Sequence, residues 1–176
     1  MNKNFPPQAD PPLAEKFKIK NSDTYKKISG SPWETFNIGK EISGLLKGGE
    51  IVFLSGILGA GKTVLVKGIA EGLGVKSKIT SPTFNIFRVY HVARERRDKF
   101  YHFDCYRLKK YADLVNLGWE EIIAEKDSII ALEWPECIID KNITRWPGKK
   151  VIFIKISIEG KGRIINTKIW NIKLET

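Results

Sequence analysis

The run Gly56-Ile57-Leu58-Gly59-Ala60-Gly61-Lys62-Thr63 places three glycines, a cation and a hydroxyl within eight positions. It fills every fixed position of G-x-x-x-x-G-K-[ST], a phosphate-binding loop pattern. The glycines let the backbone curl so that successive N–H groups face one point. A helix starting there adds its positive N-terminal dipole. Lys62 is then placed to reach β- and γ-phosphates, and the Thr63 hydroxyl to ligate Mg²⁺. The pattern carries meaning only between a strand and a helix, and both are present. Glu50 to Ser55 is an apolar β-type run, and Val64 to Leu73 suits a helix. The residues imply binding of a nucleoside triphosphate.

Hydrolysis or transfer needs an acid for the metal and a group that orients the attacking species. Glu133 follows four apolar residues, Ile129-Ile130-Ala131-Leu132, as expected of an acid ending a buried strand. At the C-terminal edge of a sheet, beside the loop, such a carboxylate sits where a metal is held. Asp104 stands where a strand gives way to a helix in Tyr101-His102-Phe103-Asp104-Cys105-Tyr106-Arg107-Leu108. By composition alone it reads as an N-cap, and His102 as a hydrogen-bonded strand histidine. Thr80-Ser81-Pro82-Thr83 reads as a turn, or as a nucleotide-sensing loop following the first helix of the unit. The segment Ser29 to Thr35 is the candidate for contact with a base.

The elements around these residues follow from periodicity. Tyr25 to Ser29 is a first strand. Ser31-Pro32-Trp33-Glu34 opens a helix with Ser at the N-cap, Pro at the first helical position and an acid in the first turn. Phe36, Ile38, Ile42, Leu45 and Leu46 form its apolar stripe, which stops at Gly48-Gly49. A strand runs through Phe87, Val89 and His91 and pairs with Phe100 to Asp104. Between them the charged turn Ala93 to Lys99 reads as a hairpin tip. One helical stretch is expected from about Leu108 to Ala124, then the strand Ser128 to Glu133. Lys150 to Ile158 and Arg163 to Ile172 form a hairpin across Gly160-Lys161-Gly162. The expected fold is α/β, a P-loop NTPase-type three-layer sandwich: a mixed, mainly parallel central sheet with antiparallel strands added. Residues 1–22, with Phe5-Pro6-Pro7 and Asp10-Pro11-Pro12, read as a flexible Pro-rich and basic tail, and 23–176 as one domain.

At 176 residues, with 42% hydrophobic and 28% charged residues, the chain is of globular composition and can bury a sizeable core. No apolar run approaches the ~20 residues that span a bilayer, and the N-terminus lacks a signal-peptide core. A cytoplasmic protein with no membrane partner is expected. Cys105 and Cys137 lack metal-ligand spacing and read as reduced structural thiols. The net charge of +10 suits an anionic partner such as RNA or a simple solvated surface, and the two remain open. Asp140 to Thr176 holds nine Lys/Arg against three Asp/Glu, so the excess leans toward that end.

Gly56 to Thr63, Ser81-Pro82-Thr83-Phe84, His102 to Leu108 and Leu132-Glu133-Trp134-Pro135 together resemble the four signature blocks of the bacterial TsaE (YjeE) ATPases, in order and at similar spacing. The resemblance covers roughly Tyr25 to Arg163. It implies an ATPase, Mg²⁺-dependent and partner-stimulated, that supports threonylcarbamoyl modification of the adenosine next to the anticodon in tRNAs reading codons that begin with A. The implied partners are the TsaB–TsaD heterodimer, with tRNA contacted indirectly through the complex. By position, Gly56, Gly59, Ala60, Gly61, Lys62, Thr63, Val64 and Trp134 would bind ATP, and Thr63 and Glu133 would ligate Mg²⁺. Lys62, Thr83 and Asp104 would form the catalytic set, with Asp104 orienting water and Thr83 in the switch-like loop Ser81 to Phe84. Two positions depart from the family pattern: Ile57 stands for the usual Asp, and Val64 for a second Thr whose hydroxyl would touch the α-phosphate. Weaker nucleotide binding is the expected result. The alternatives are a small-molecule or nucleoside kinase, with Ala93 to Lys99 as its lid, and a nucleotide-gated binding module without turnover.

Overall fold

The computed structural model describes residues 23–82, 84–93, 99–138 and 149–171, with side chains undescribed at 23, 24 and 167–171. The tail, Thr83, most of the charged turn after Ala93 and the segment 139–148 lie outside the described residues. Among the described residues, seven strands form one sheet: β1 (Asp23–Ser29), β2 (Ile51–Ser55), β3 (Phe87–His91), β4 (Lys99–Asp104), β5 (Ile129–Glu133), β6 (Lys150–Glu159) and β7 (Gly162–Asn171). Their spatial order is β1-β7-β6-β2-β5-β4-β3. The four central strands, β6, β2, β5 and β4, are parallel. Antiparallel strands extend both edges, β7 and β1 on one side and β3 on the other. The fold is α/β, of the P-loop NTPase type.

Alternation along the central strands sorts their side chains onto two faces. Val52, Leu54, Phe100, Ile129, Ala131, Ile152 and Ile154 point to one face and pack with Ile38, Ile42, Leu65, Val66 and Ile69. These come from α1 (Pro32–Ser43) and α2 (Lys62–Gly72). Ile51, Phe53, Tyr101, Phe103, Ile130, Leu132 and Phe153 point the other way, onto Leu114, Trp119, Ile122 and Ile123. That second layer is built by α3 (Tyr111–Val115) and α4 (Trp119–Ala124). The α1 helix starts as its sequence dictates: Ser31 is the N-cap, and its hydroxyl accepts from the Glu34 N–H at 3.2 Å.

The single helix expected from Leu108 to Ala124 is corrected. Cys105–Arg107 is a short 3₁₀ turn, and α3 and α4 are separate helices divided at Gly118, whose φ is +80°. That left-handed backbone favours glycine and redirects the chain. It sends Trp119 into the core, fully buried and edge-on to Phe103 at 5.4 Å.

Candidate nucleotide and metal site

The parallel strands β2, β5 and β4 all end at one edge of the sheet, and each delivers a candidate site residue there. β2 runs into the phosphate loop at Gly56, β5 ends on Glu133 and β4 on Asp104. Asp104 and Glu133 are Cα partners across the β4–β5 ladder, and Glu133 is the partner of Leu54 across β2–β5. The carboxylates therefore stand side by side next to the loop, as expected where ligands bind at the carboxyl ends of strands.

The loop's path depends on glycine at two places. Gly56 has φ +151°, and a Cβ there would lie 2.6 Å from the Ile156 carbonyl oxygen of the neighbouring strand. Gly61 has φ +104° and is the N-cap of α2. The first N–H groups of α2 have no partner within the helix, as at any helix start, and they open next to the loop. From the opposite side Arg163, at the start of β7, donates from Nε to the Ala60 carbonyl at 2.9 Å. Spacing offered no signal for Arg163, which reaches the loop across a separation of 103 residues.

Lys62 is only 5% exposed. Its Nζ donates to the carbonyls of Gly56 at 2.6 Å and Ile57 at 3.1 Å, and lies 3.6 Å from the centre of the Trp134 ring. Burial lowers its pKa, while the charges of Glu133, Glu136 and Asp104 act in the opposite sense. Trp134 has φ +60°, an uncommon conformation for a bulky residue. It turns the chain sharply out of β5, so that the indole forms a wall over the lysine. Tyr106 packs against the same indole, at 5.0 Å between ring centroids and tilted by 55°.

The Thr63 hydroxyl donates to the Glu133 carboxylate, at 2.9 Å to Oε1 and 3.2 Å to Oε2. Asp104 caps the following 3₁₀ turn, accepting from the Tyr106 N–H at 3.2 Å. It is thus both the N-cap that composition suggests and a wall of the site. Leu58, Gly59, Gly61, Lys62, Thr63, Val64, Ser81, Asp104, Glu133 and Trp134 enclose a cleft of about 280 Å³. Among the described residues, every expected site residue except Gly56 and Ala60 lines it. Gly56 and Ala60 shape the loop from behind, and Thr83 lies outside the described residues.

The Thr63 hydroxyl and Glu133 carboxylate are adjacent hard oxygen donors open to the cleft, a set that fits Mg²⁺. Among the described residues no group of three or more His, Cys, Asp or Glu could hold a metal. Mg²⁺ needs none, because it takes one or two protein oxygens and completes its shell with phosphate oxygens and water.

Sequence reasoning missed a third acid. Glu136, in the 3₁₀ turn Pro135–Cys137, lies near enough to Lys62 for each to feel the other's charge. Burial raises its pKa. Cys105 and Cys137 are free thiols, as expected; burial pushes Cys105 well up and Cys137 to about 11, so neither is a ready nucleophile. The expected base-contact segment keeps its hydroxyls to itself, with Ser29 and Thr35 joined at 2.7 Å.

A family model described as "Threonylcarbamoyl adenosine biosynthesis protein TsaE" matches residues 29–165. The chain belongs to the TsaE family. Among curated relatives, "tRNA threonylcarbamoyladenosine biosynthesis protein TsaE" of Borreliella burgdorferi is 40% identical over 117 residues, covering 66% of this chain and 80% of the relative. The protein of the same name from Treponema pallidum is 40% identical over 109 residues, covering 62% and 77%. A crystal structure of Bacillus subtilis YdiB superposes with a TM-score of 0.64 at 27% identity, covering 86% of this chain and 89% of that one. The TsaE family takes part in tRNA threonylcarbamoyladenosine biosynthesis. Among the described residues no helix is long and apolar enough to cross a membrane.

Proposed function

We propose that this TsaE-family chain is a Mg²⁺-dependent ATPase. It supports threonylcarbamoyl modification of the adenosine next to the anticodon, acting in the cytoplasm with the TsaB–TsaD heterodimer. The observation that carries this reading is the convergence of Lys62, Thr63, Glu133 and Asp104 on one cleft at the strand ends. The α2 N-terminus and Lys62 would hold the phosphates, and Thr63 and Glu133 would hold the metal. Bound Mg²⁺ would neutralise charge on the β- and γ-phosphate oxygens. Asp104, beside Glu133 in register, orients the water that attacks the γ-phosphorus as the bond to ADP breaks. Trp134 and Lys62 pack together, so the indole keeps the lysine directed at the mouth of the loop. Thr83 belongs to the loop whose neighbour Ser81 lines the cleft, which supports a switch role for that segment.

A kinase would need a basic lid over the cleft. Arg94, Arg96 and Arg97 of the one lid-like segment lie outside the described residues, so no observation favours that reading. Phosphate release measured with and without the partner heterodimer and tRNA tests the proposal. Hydrolysis that rises with the partners supports it. ATP loss that depends on a small acceptor, or no turnover under any condition, overturns it.

A further inference from the structure

We infer that His102 is a positioning residue that holds Glu133 in its metal-binding orientation. The inference rests on the reading of Glu133 as a metal ligand. Along β4, residues Phe100, His102 and Asp104 alternate onto the face that carries α2, and Ile129, Ala131 and Glu133 of β5 do the same. His102 is the Cα partner of Ala131. The small methyl side chain on this neighbouring parallel strand, about 4.8 Å away, leaves room for an imidazole on that face. The ring takes this space with no solvent exposure, and its Nε2 lies 2.8 Å from Glu133 Oε1.

Glu133 is thus held from two sides. Thr63 donates from the cleft side, and that hydroxyl keeps its oxygen lone pairs for a cation. His102 holds the same carboxylate from within the core. With Nε2 protonated, the imidazole donates to Oε1, which leaves Oε2 the freer oxygen. A two-bond tether on a buried carboxylate fixes its rotamer before a cation arrives. Hydrogen-bonded supports of metal ligands act in this way, and their loss typically weakens metal binding 10–100-fold. The bland alternative is a histidine that only satisfies a buried acid and stabilises the sheet. That role would leave metal affinity unchanged in any variant that folds.

Four variants separate these readings: His102→Leu, which removes the donor, His102→Asn, too short to reach Oε1, His102→Gln, whose amide nitrogen replaces Nε2, and Glu133→Ala. Mn²⁺ is titrated into each protein with ADP and followed by electron paramagnetic resonance. ADP affinity is measured separately with excess chelator. The inference expects Mn²⁺ binding to weaken about 10–100-fold in His102→Leu and His102→Asn and to recover in His102→Gln. Metal-free ADP affinity stays at the wild-type level. If His102→Leu fails to fold, the Asn and Gln pair carries the comparison. Wild-type Mn²⁺ affinity in the Leu or Asn variant, alongside its loss in Glu133→Ala, overturns the role of His102 alone. A Gln variant as weak as the others, or an equal loss of metal-free ADP binding, also overturns it. Unchanged Mn²⁺ affinity in Glu133→Ala overturns the metal assignment beneath it.

Discussion

Replacing Val64 with Thr should tighten nucleotide binding, and the site's geometry sets the size of the gain. Val64 is the third residue of α2, half-buried and lining the cleft. Its N–H is one of the donors at the helix start that have no partner within the helix, and this contribution is the same in both proteins. Val and Thr have nearly the same shape, so the substitution exchanges a methyl for a hydroxyl without opening a cavity. In a sealed core that hydroxyl would be a liability, but here it lines the cleft proposed to hold the phosphates. The neighbouring Thr63 hydroxyl is committed to Glu133 and does not compete for the same oxygen. A hydrogen bond to a charged group contributes about 1.5–3 kcal/mol, roughly ten- to hundredfold in affinity. Partial exposure of Val64 places the expectation at the lower end, about tenfold.

Isothermal titration with AMP, ADP, ATP and adenosine resolves the origin of the effect. A contact to the α-phosphate shifts the three nucleotides by the same factor and leaves adenosine unchanged. Val64→Ala serves as the control, since it alters the side chain without adding a donor. Unchanged or looser binding of all three nucleotides in Val64→Thr would refute the reasoning.

Lys62→Ala should abolish phosphate affinity with or without metal, whereas Glu133→Ala should abolish the Mg²⁺ dependence of turnover; normal hydrolysis by Glu133→Ala refutes the metal assignment. Glu136 carries a raised pKa because of its burial, so the folded protein binds its proton more tightly than the unfolded chain does. Wild-type stability should therefore fall as pH rises from the ordinary glutamate range through the raised value. Glu136→Gln lacks that loss. Its melting temperature should exceed the wild type's at neutral pH, the gap closing as pH falls below the ordinary glutamate range; a gap independent of pH refutes this. Gly68 lies where α1 crosses α2, and a Cβ there would run into the Phe36 carbonyl. Gly68→Ala should cost at least about 1–3 kcal/mol, read as a lower melting temperature of roughly 2–4 °C per kcal/mol. An unchanged melting temperature refutes the close approach.

The parts of the site that one segment builds were legible in the sequence. The phosphate loop needs only its own glycines, Lys62 and Thr63, plus a strand before and a helix after, all within a short stretch. The Ser31 cap and the Gly160-Lys161 hairpin are equally local. The parts that failed depend on contacts between segments. Nothing near Leu108 to Ala124 showed that Gly118 would take a left-handed φ and split the helix, because a run of helix formers on either side outweighs one glycine in a periodicity count. Arg163 and Glu136 carry no signal of their own, since each reaches the loop only after the sheet has closed.

Asp104, His102 and Glu133 fall between these cases, and register explains why. Side chains on a strand alternate, so slipping β4 against β5 by one residue would turn His102 and Asp104 to the opposite face from Glu133. The register is fixed by residues with no chemistry of their own. Tyr101 and Phe103 must face Trp119 and Leu114, while Phe100 must face the α2 side. Once those aromatics are buried, His102 and Asp104 have only one face left to them, the face on which Thr63 sits. The apolar alternation of Phe100 to Asp104 and Ile129 to Glu133 thus determines the carboxylate geometry. A change of period in either strand would dismantle the site while leaving the phosphate-loop pattern untouched.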